Sequence, residues 1–251
     1  YFINDDQSES NIKWKLRRMI ATLKAAHYKT KLIFSTPQIL PKKYNVAVCA
    51  IFKNEAPYLR EWIEFNHIVG VEHFYLYNNN SEDDYMNVLK PYIECGLVTL
   101  TQWPYNQKQM ECYMACIDEY ASETKWLGFI DIDEFIVPKS TNSVYDFLQP
   151  FEKKAGSVNI YWKIFGTSGQ LDRKLSGLVS EDFMVCWPKY MDLGKCFYNT
   201  AFGFDSNSKH AAQLHHKFWA NYKGKDIPPV NIFNKICIGN RNVAKTSDFP
   251  I

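Results

Sequence analysis

Tyr44-Asn45-Val46-Ala47-Val48-Cys49-Ala50-Ile51-Phe52, running straight into Lys53-Asn54-Glu55, is the stretch on which the fold turns. It is rich in Val, Ile and aromatic residues and has no interior Gly or Pro, so it reads as a strand buried on both faces. Lys53-Asn54-Glu55 makes a turn. Pro57 then stands where the first turn of a helix tolerates proline, ahead of Leu59, Trp62, Ile63 and Phe65. Gly70 ends that helix, residues 71–77 read as a second strand, and a polar loop over 78–84 follows. A helix to about Cys95, a strand over 97–102, a helical stretch over 106–121 and a buried strand at 126–130 continue the rhythm. Such alternation predicts an α/β fold, a mostly parallel sheet flanked by helices.

In sheets of this kind ligands bind beyond the carboxyl ends of the strands, where the strand order reverses. The residues just after each strand therefore carry the functional information. Trp126-Leu127-Gly128-Phe129-Ile130-Asp131-Ile132-Asp133-Glu134-Phe135 is the most telling of them, an apolar strand that delivers three acids. Acids so close repel one another unless a cation or strong donors neutralise them. A hard divalent ion, Mn²⁺ or Mg²⁺, sharing its oxygen shell with a sugar diphosphate meets that need. Asp131 and Asp133 are the expected metal ligands, Asp133 the more direct, and Asp131 and Ile132 would also line the nucleotide-sugar. The competing reading is a solvated acidic turn that caps the next element. Lys53, Asn54 and Glu55 after the first strand, and Asn78 and Asn79 after the second, are candidates for holding the nucleotide, although turn chemistry accounts for each Asn singly.

Beyond Pro138 the pattern loosens into short strands and long loops. Trp162, Thr167, Ser168 and Gly169 end a strand in a Gly-flanked polar loop suited to a donor or acceptor sugar. Asp172, Arg173, Glu181 and Asp182 follow, and any of the three acids could accept the proton of an attacking hydroxyl. Lys195 is a candidate phosphate partner. His215 and His216 arrive late enough to complete a metal shell from outside the aspartate loop. Adjacent histidines commonly point apart, so one of the two is expected to do so.

Composition narrows the field. Hydrophobic residues make up 46% and charged residues 22%, as in ordinary globular proteins. The net charge of +2 gives no sign of a nucleic-acid partner. Seven scattered cysteines without a zinc spacing read as reduced, mostly buried thiols. No run is long enough for a membrane span. Near the start, Ile12, Leu16, Met19, Ile20 and Leu23 share one helical face, with Lys13, Lys15, Arg17, Arg18 and Lys24 around it. A basic amphipathic helix over about 11–34 fits either peripheral membrane contact or docking on its own domain. The expected organisation is a basic helical arm over 1–43 and one catalytic domain over 44–251. A nucleotide and metal half extends to about 138, and an acceptor half follows. Thiol usage and the basic arm suggest a cytoplasmic enzyme at a membrane face. A Golgi lumenal location is the alternative if an upstream anchor has been removed, since the chain begins at Tyr1 rather than Met.

Taken in order, several of these segments resemble glycosyltransferase family 92, within the GT-A fold superfamily. They are Phe52-Lys53-Asn54-Glu55-Ala56-Pro57 and the residues to Trp62, Gly70-Val71-Glu72-His73-Phe74-Tyr75-Leu76-Tyr77-Asn78-Asn79, and Phe129-Ile130-Asp131-Ile132-Asp133-Glu134-Phe135. Trp162-Lys163-Ile164-Phe165-Gly166-Thr167-Ser168-Gly169, Gly177-Leu178-Val179-Ser180-Glu181-Asp182-Phe183, Lys195 and the His215/His216 pair follow. The resemblance runs over about 44–219. It implies an inverting, Mn²⁺-dependent hexosyltransferase that moves galactose from UDP-galactose to a glycan hydroxyl, and it singles out Glu181 as the first acid to test as base. Lys163 stands where the family has Arg, Gln170 where it has His, and a late Ile-Asn-His-Tyr segment is expected but absent before Ile251. These departures motivate the alternative of a catalytically weak glycan- or nucleotide-binding protein on a degenerate transferase fold.

Overall fold

The computed structural model describes residues 11–169, 177–188, 190–191 and 193–237. Helix α1 (Asn11–Ile33) precedes strand β1 (Tyr44–Phe52), which starts and stops where the sequence predicts. Then come α2 (Ala56–Ile68), β2 (His73–Asn78), α3 (Tyr85–Glu94), β3 (Val98–Gln102), α4 (Gln109–Tyr120) and β4 (Thr124–Phe129). The later part holds α5 (Val144–Leu148), β5 (Ser157–Tyr161), the short α6 (Val179–Asp182), β6 (Gly194–Asn199), β7 (Ala220–Tyr222), β8 (Lys225–Ile227) and β9 (Val230–Asn231).

Among the described residues, seven strands form one sheet in the order β3-β2-β1-β4-β6-β5-β9. β1, β2, β3 and β4 run parallel, and β6 enters antiparallel to both β4 and β5. This is the mostly parallel, helix-flanked sheet that the alternation predicts. The side chains of β1 alternate between two cores, as a strand's period of two requires. Val46, Val48, Ala50 and Phe52 pack with Leu59, Trp62 and Ile63 of α2, Leu89 of α3 and Phe147 of α5. Ala47 and Cys49 pack on the other face with Cys112, Tyr113, Cys116 and Ile117 of α4 and with Leu214 and Phe218. Covering both faces makes β1 almost wholly buried, which is why it reads as a continuous apolar run.

From β1 the chain builds β2 and β3 to one side and then crosses back to place β4 on the other. The strand order therefore reverses between β1 and β4, whose carboxyl ends lie side by side with Cys49 opposite Phe129. Beyond the β5–β6 pair the two chains continue as an irregular ribbon. Trp162 and Leu193, Met191 and Trp162, and Gly166 and Val185 are joined by backbone hydrogen bonds there.

Candidate functional site

Asp131 emerges at the reversal, two residues past the end of β4. Its two carboxylate oxygens are held from different elements. Lys195, in the second position of β6, donates its Nζ to Asp131 Oδ2 at 2.5 Å and stands 3.5 Å from Glu134 Oε2. Gln109 Nε2 and Tyr113 OH, one helical turn apart on α4, donate to Asp131 Oδ1 at 3.2 and 3.3 Å. The backbone is fixed as well. Trp62 Nε1 of α2 donates to the Asp131 carbonyl at 3.0 Å, and the Asp131 N–H donates to Glu134 Oε2 at 2.9 Å. Helices from both faces of the sheet and an antiparallel strand thus converge on one residue, α4 and β6 at its carboxylate and α2 at its carbonyl. Lys195 is buried, so its charge must be met by carboxylates, and Asp131 and Glu134 meet it.

Among the described residues, negative charge here exceeds that of Lys195. Burial pushes Glu134 up to about 7, with Lys195 opposing and Asp131 and Asp133 adding to the rise. Glu55, at the start of α2, is likewise raised to about 7 by burial and then by Asp133 and Asp131. Asp133 itself is exposed. Glu55, Asp131, Asp133 and Glu134 therefore share one field, and it favours a bound cation.

The two histidines sit beside Lys195. Their rings lie against each other with centroids 3.8 Å apart, rather than pointing apart as adjacent histidines commonly do. The ordering cause is the Gly194 carbonyl, which is 2.7 Å from His216 Nδ1. A carbonyl only accepts, so the proton is on Nδ1 and the lone pair is on Nε2, the arrangement that presents an imidazole to a metal. Burial holds both rings below their ordinary value, His215 at about 3, with His216 and Lys195 assisting there. Both are neutral at pH 7, and His215 Nδ1 is buried with no partner among the described residues. Trp162 closes this side. It stands edge-on to His216 at 5.1 Å and 5.8 Å from Lys195 Nζ, with its own Nε1 buried and without a partner among the described residues.

Among the described residues, no three His, Cys, Asp or Glu side chains gather into a metal-holding group. The donors still suit a divalent ion whose shell is completed by diphosphate oxygens. Asp133 offers an exposed carboxylate and His216 a lone pair at Nε2, whereas both oxygens of Asp131 are already engaged.

The remaining expected residues are placed less directly. The asparagines spend their side chains on the loops. Asn54 Oδ1 accepts from Glu82 N–H and Asn78 Oδ1 from Ser81 N–H, while Asn79 Nδ2 donates to the Trp103 and Tyr105 carbonyls. Asn54 adopts φ 56°, which Asn tolerates better than most residues. Lys53 is exposed. Ser168 Oγ accepts from the N–H groups of Met184 and Val185, so it braces the ribbon, and Thr167 and Gly169 are exposed beside it. Asp172 and Gln170 lie outside the described residues. Glu181 and Asp182 end α6, whose first N–H groups, Val179 and Ser180, are gripped by the Glu61 carboxylate of α2 at 2.6 and 2.9 Å. Gln109, Tyr113, Trp62 and Glu61 are site residues that their sequence context does not single out, whereas Glu134 is the third acid of the motif and gains its role only from its contacts with Lys195 and the Asp131 N–H. The spacing of Gln109 and Tyr113, four apart on a helix leading into the acidic strand, was the available signal.

The sequence model for glycosyltransferase family 92 matches residues 42–224. A family 92 protein of Oryza sativa subsp. japonica is 32% identical over 132 residues, covering 51% of this chain and 23% of its own length. A galactan beta-1,4-galactosyltransferase of Arabidopsis thaliana is 31% identical over 128 residues, 45% of this chain and 25% of that one. A beta-1,4-galactosyltransferase of Caenorhabditis elegans is 31% identical over 115 residues, 41% and 27% respectively. The chain spans only 23%, 17% and 16% of the first three curated relatives. Among solved structures, S. aureus TarS in complex with UDP aligns with a TM-score of 0.42 and 13% identity, over 74% of this chain and 60% of that one.

Proposed function

The chain belongs to glycosyltransferase family 92, and from that premise we propose that it transfers a hexose, galactose, from a UDP-sugar to a glycan hydroxyl with inversion. The observation that carries this reading is the convergence of Asp131, Asp133, Glu134, Lys195 and the histidine pair at the strand-order reversal. The galactose assignment is supported by the two relatives named as galactosyltransferases.

In the proposed reaction the acceptor oxygen forms a bond to the anomeric carbon as the bond from that carbon to the diphosphate oxygen breaks. The electron pair leaves with UDP, and the hydroxyl proton passes to a carboxylate, for which Glu181 is the first candidate. Lys195 offers its charge to the diphosphate from a fixed, buried position. Trp162 gives the sugar an apolar wall. A divalent ion, held by Asp133 and His216, would neutralise charge on the departing diphosphate.

UDP with Mn²⁺ is expected to raise the melting temperature, corresponding to about 2.7 kcal/mol when UDP is near 100 times its dissociation constant. Asp133→Ala should remove the Mn²⁺-dependent part of that rise and leave the unliganded stability nearly unchanged, since Asp133 is exposed. UDP release from UDP-galactose, UDP-glucose and UDP-N-acetylglucosamine then ranks the donors. If UDP fails to stabilise the protein with either Mn²⁺ or Mg²⁺, the proposal fails.

A further inference from the structure

Helix α1 carries two apolar faces on opposite sides. Ala21 is buried, Ala25, Tyr28 and Leu32 are half-buried, and this stripe docks the helix, with Tyr28 packed edge-on against Trp219 at 5.5 Å. Among the described residues nothing covers the other face. Ile12, Leu16, Met19 and Leu23, spaced four, three and four apart, are 82%, 51%, 55% and 64% exposed, and Ile33 and Phe34 extend the line at 64% and 79%. An ordinary surface helix turns such a stripe inward. Here the inward side is already used.

Charge selects what can cover it. Every charged residue of α1 is Lys or Arg, with no acid between Asn11 and Ile33. A second copy of the chain would bring an equally basic helix against this one, whereas an anionic surface would neutralise it. Beside Leu23 the helix also walls a cleft of about 420 Å³ bounded by Lys24, His27, Lys209, His210 and Trp219. His210 lies flat on Trp219 at 3.8 Å, with Asp226 Oδ2 4.0 Å from its Nε2. Two lysines and an aromatic floor therefore adjoin the bare stripe.

We infer that α1 is an interfacial helix, laying its bare stripe into an anionic phospholipid surface with Lys24 and Lys209 over the lipid phosphates. Flotation of the whole chain with phosphatidylcholine vesicles, with and without about 30% phosphatidylserine, tests this. Binding is expected only with the anionic lipid and should weaken as salt rises. The triple variant Leu16→Ser, Met19→Ser, Leu23→Ser should bind at least roughly tenfold more weakly. Its side chains are exposed, so its melting curve should match that of the parent. Sedimentation should show a monomer. Equal binding by the triple variant, or no binding to the anionic vesicles, overturns the inference. A dimer that the triple variant abolishes also overturns it and assigns the stripe to a second copy of the chain.

Discussion

Asp131 and Lys195 illustrate how a buried lysine and a part-exposed carboxylate organise a site. The side chain of Lys195 is 5% exposed and that of Asp131 39%, so the lysine is the partner that needs the contact. Replacing Lys195 with Met keeps most of the volume but leaves Asp131 and Glu134 to repel each other unopposed. This should lower stability at pH 7 by about 1 kcal/mol, because Asp131 is part-exposed and water screens much of the charge left behind. Adding Asp131→Asn to Lys195→Met should restore part of the loss, and urea unfolding of both variants checks it. If the single and double variants are equally unstable, the lysine does not act through Asp131. The acids were legible in the sequence because they follow a buried apolar strand, whereas Lys195 was legible only as a phosphate partner and not as the counter-ion of Asp131 and Glu134. The remaining partners of Asp131 were not legible. Gln109, Tyr113 and Trp62 lie on helices where each is an ordinary residue, and only tertiary packing brings them to Asp131.

At the scale of elements, α6 is too short to hold itself. Four residues satisfy almost none of their own backbone groups, so its N-terminal N–H groups depend on Glu61. That carboxylate ties the segment carrying Glu181 to α2, and the next residue of α2, Trp62, holds Asp131. Glu61→Ala should cost about 1 kcal/mol, as loss of a capping acceptor does. If Glu181 is the base, the variant should also lower kcat while leaving UDP affinity unchanged. Turnover assays beside UDP titrations decide the point, and a parallel fall in both would place α6 in nucleotide binding instead. The parallel half of the sheet was readable almost to the residue, because two-sided burial writes an unbroken apolar run. The later half was not. β5 and β6 match β3 and β4 in length and only β9 is very short, but their mixed antiparallel and parallel pairings join residues that no strand–helix alternation links, as with Val158, which meets both Phe197 and Val230. Local periodicity carries no trace of such partners.

The molecule as a whole rests on a sheet filled on both faces, and this makes its stability sensitive to any polar group caught inside. His73 begins β2, buried between Tyr44, stacked at 4.5 Å, and Tyr75, edge-on at 4.7 Å, with Nε2 2.8 Å from Thr99 Oγ1. Burial, aided by the nearby Lys43 charge, lowers its pKa from 6.5 to about 4. Above pH 6.5 His73 is neutral in both folded and unfolded chains, and the shift has no effect. Between about 6.5 and 4 the unfolded chain takes up a proton that the folded one refuses, so stability falls as the pH falls. Below about 4 both states are protonated and this contribution levels off. His215, with a pKa near 3, adds a loss of the same sign. His73→Gln keeps a polar group near Thr99 but cannot titrate. Urea midpoints measured from pH 7 down to 4 should therefore decline less steeply in His73→Gln than in the parent, with the two curves diverging below about 6.5. Parallel curves across that window would mean that His73 gains its proton in the folded protein as easily as in the unfolded chain. The packing of β2 would then have to open enough to admit water.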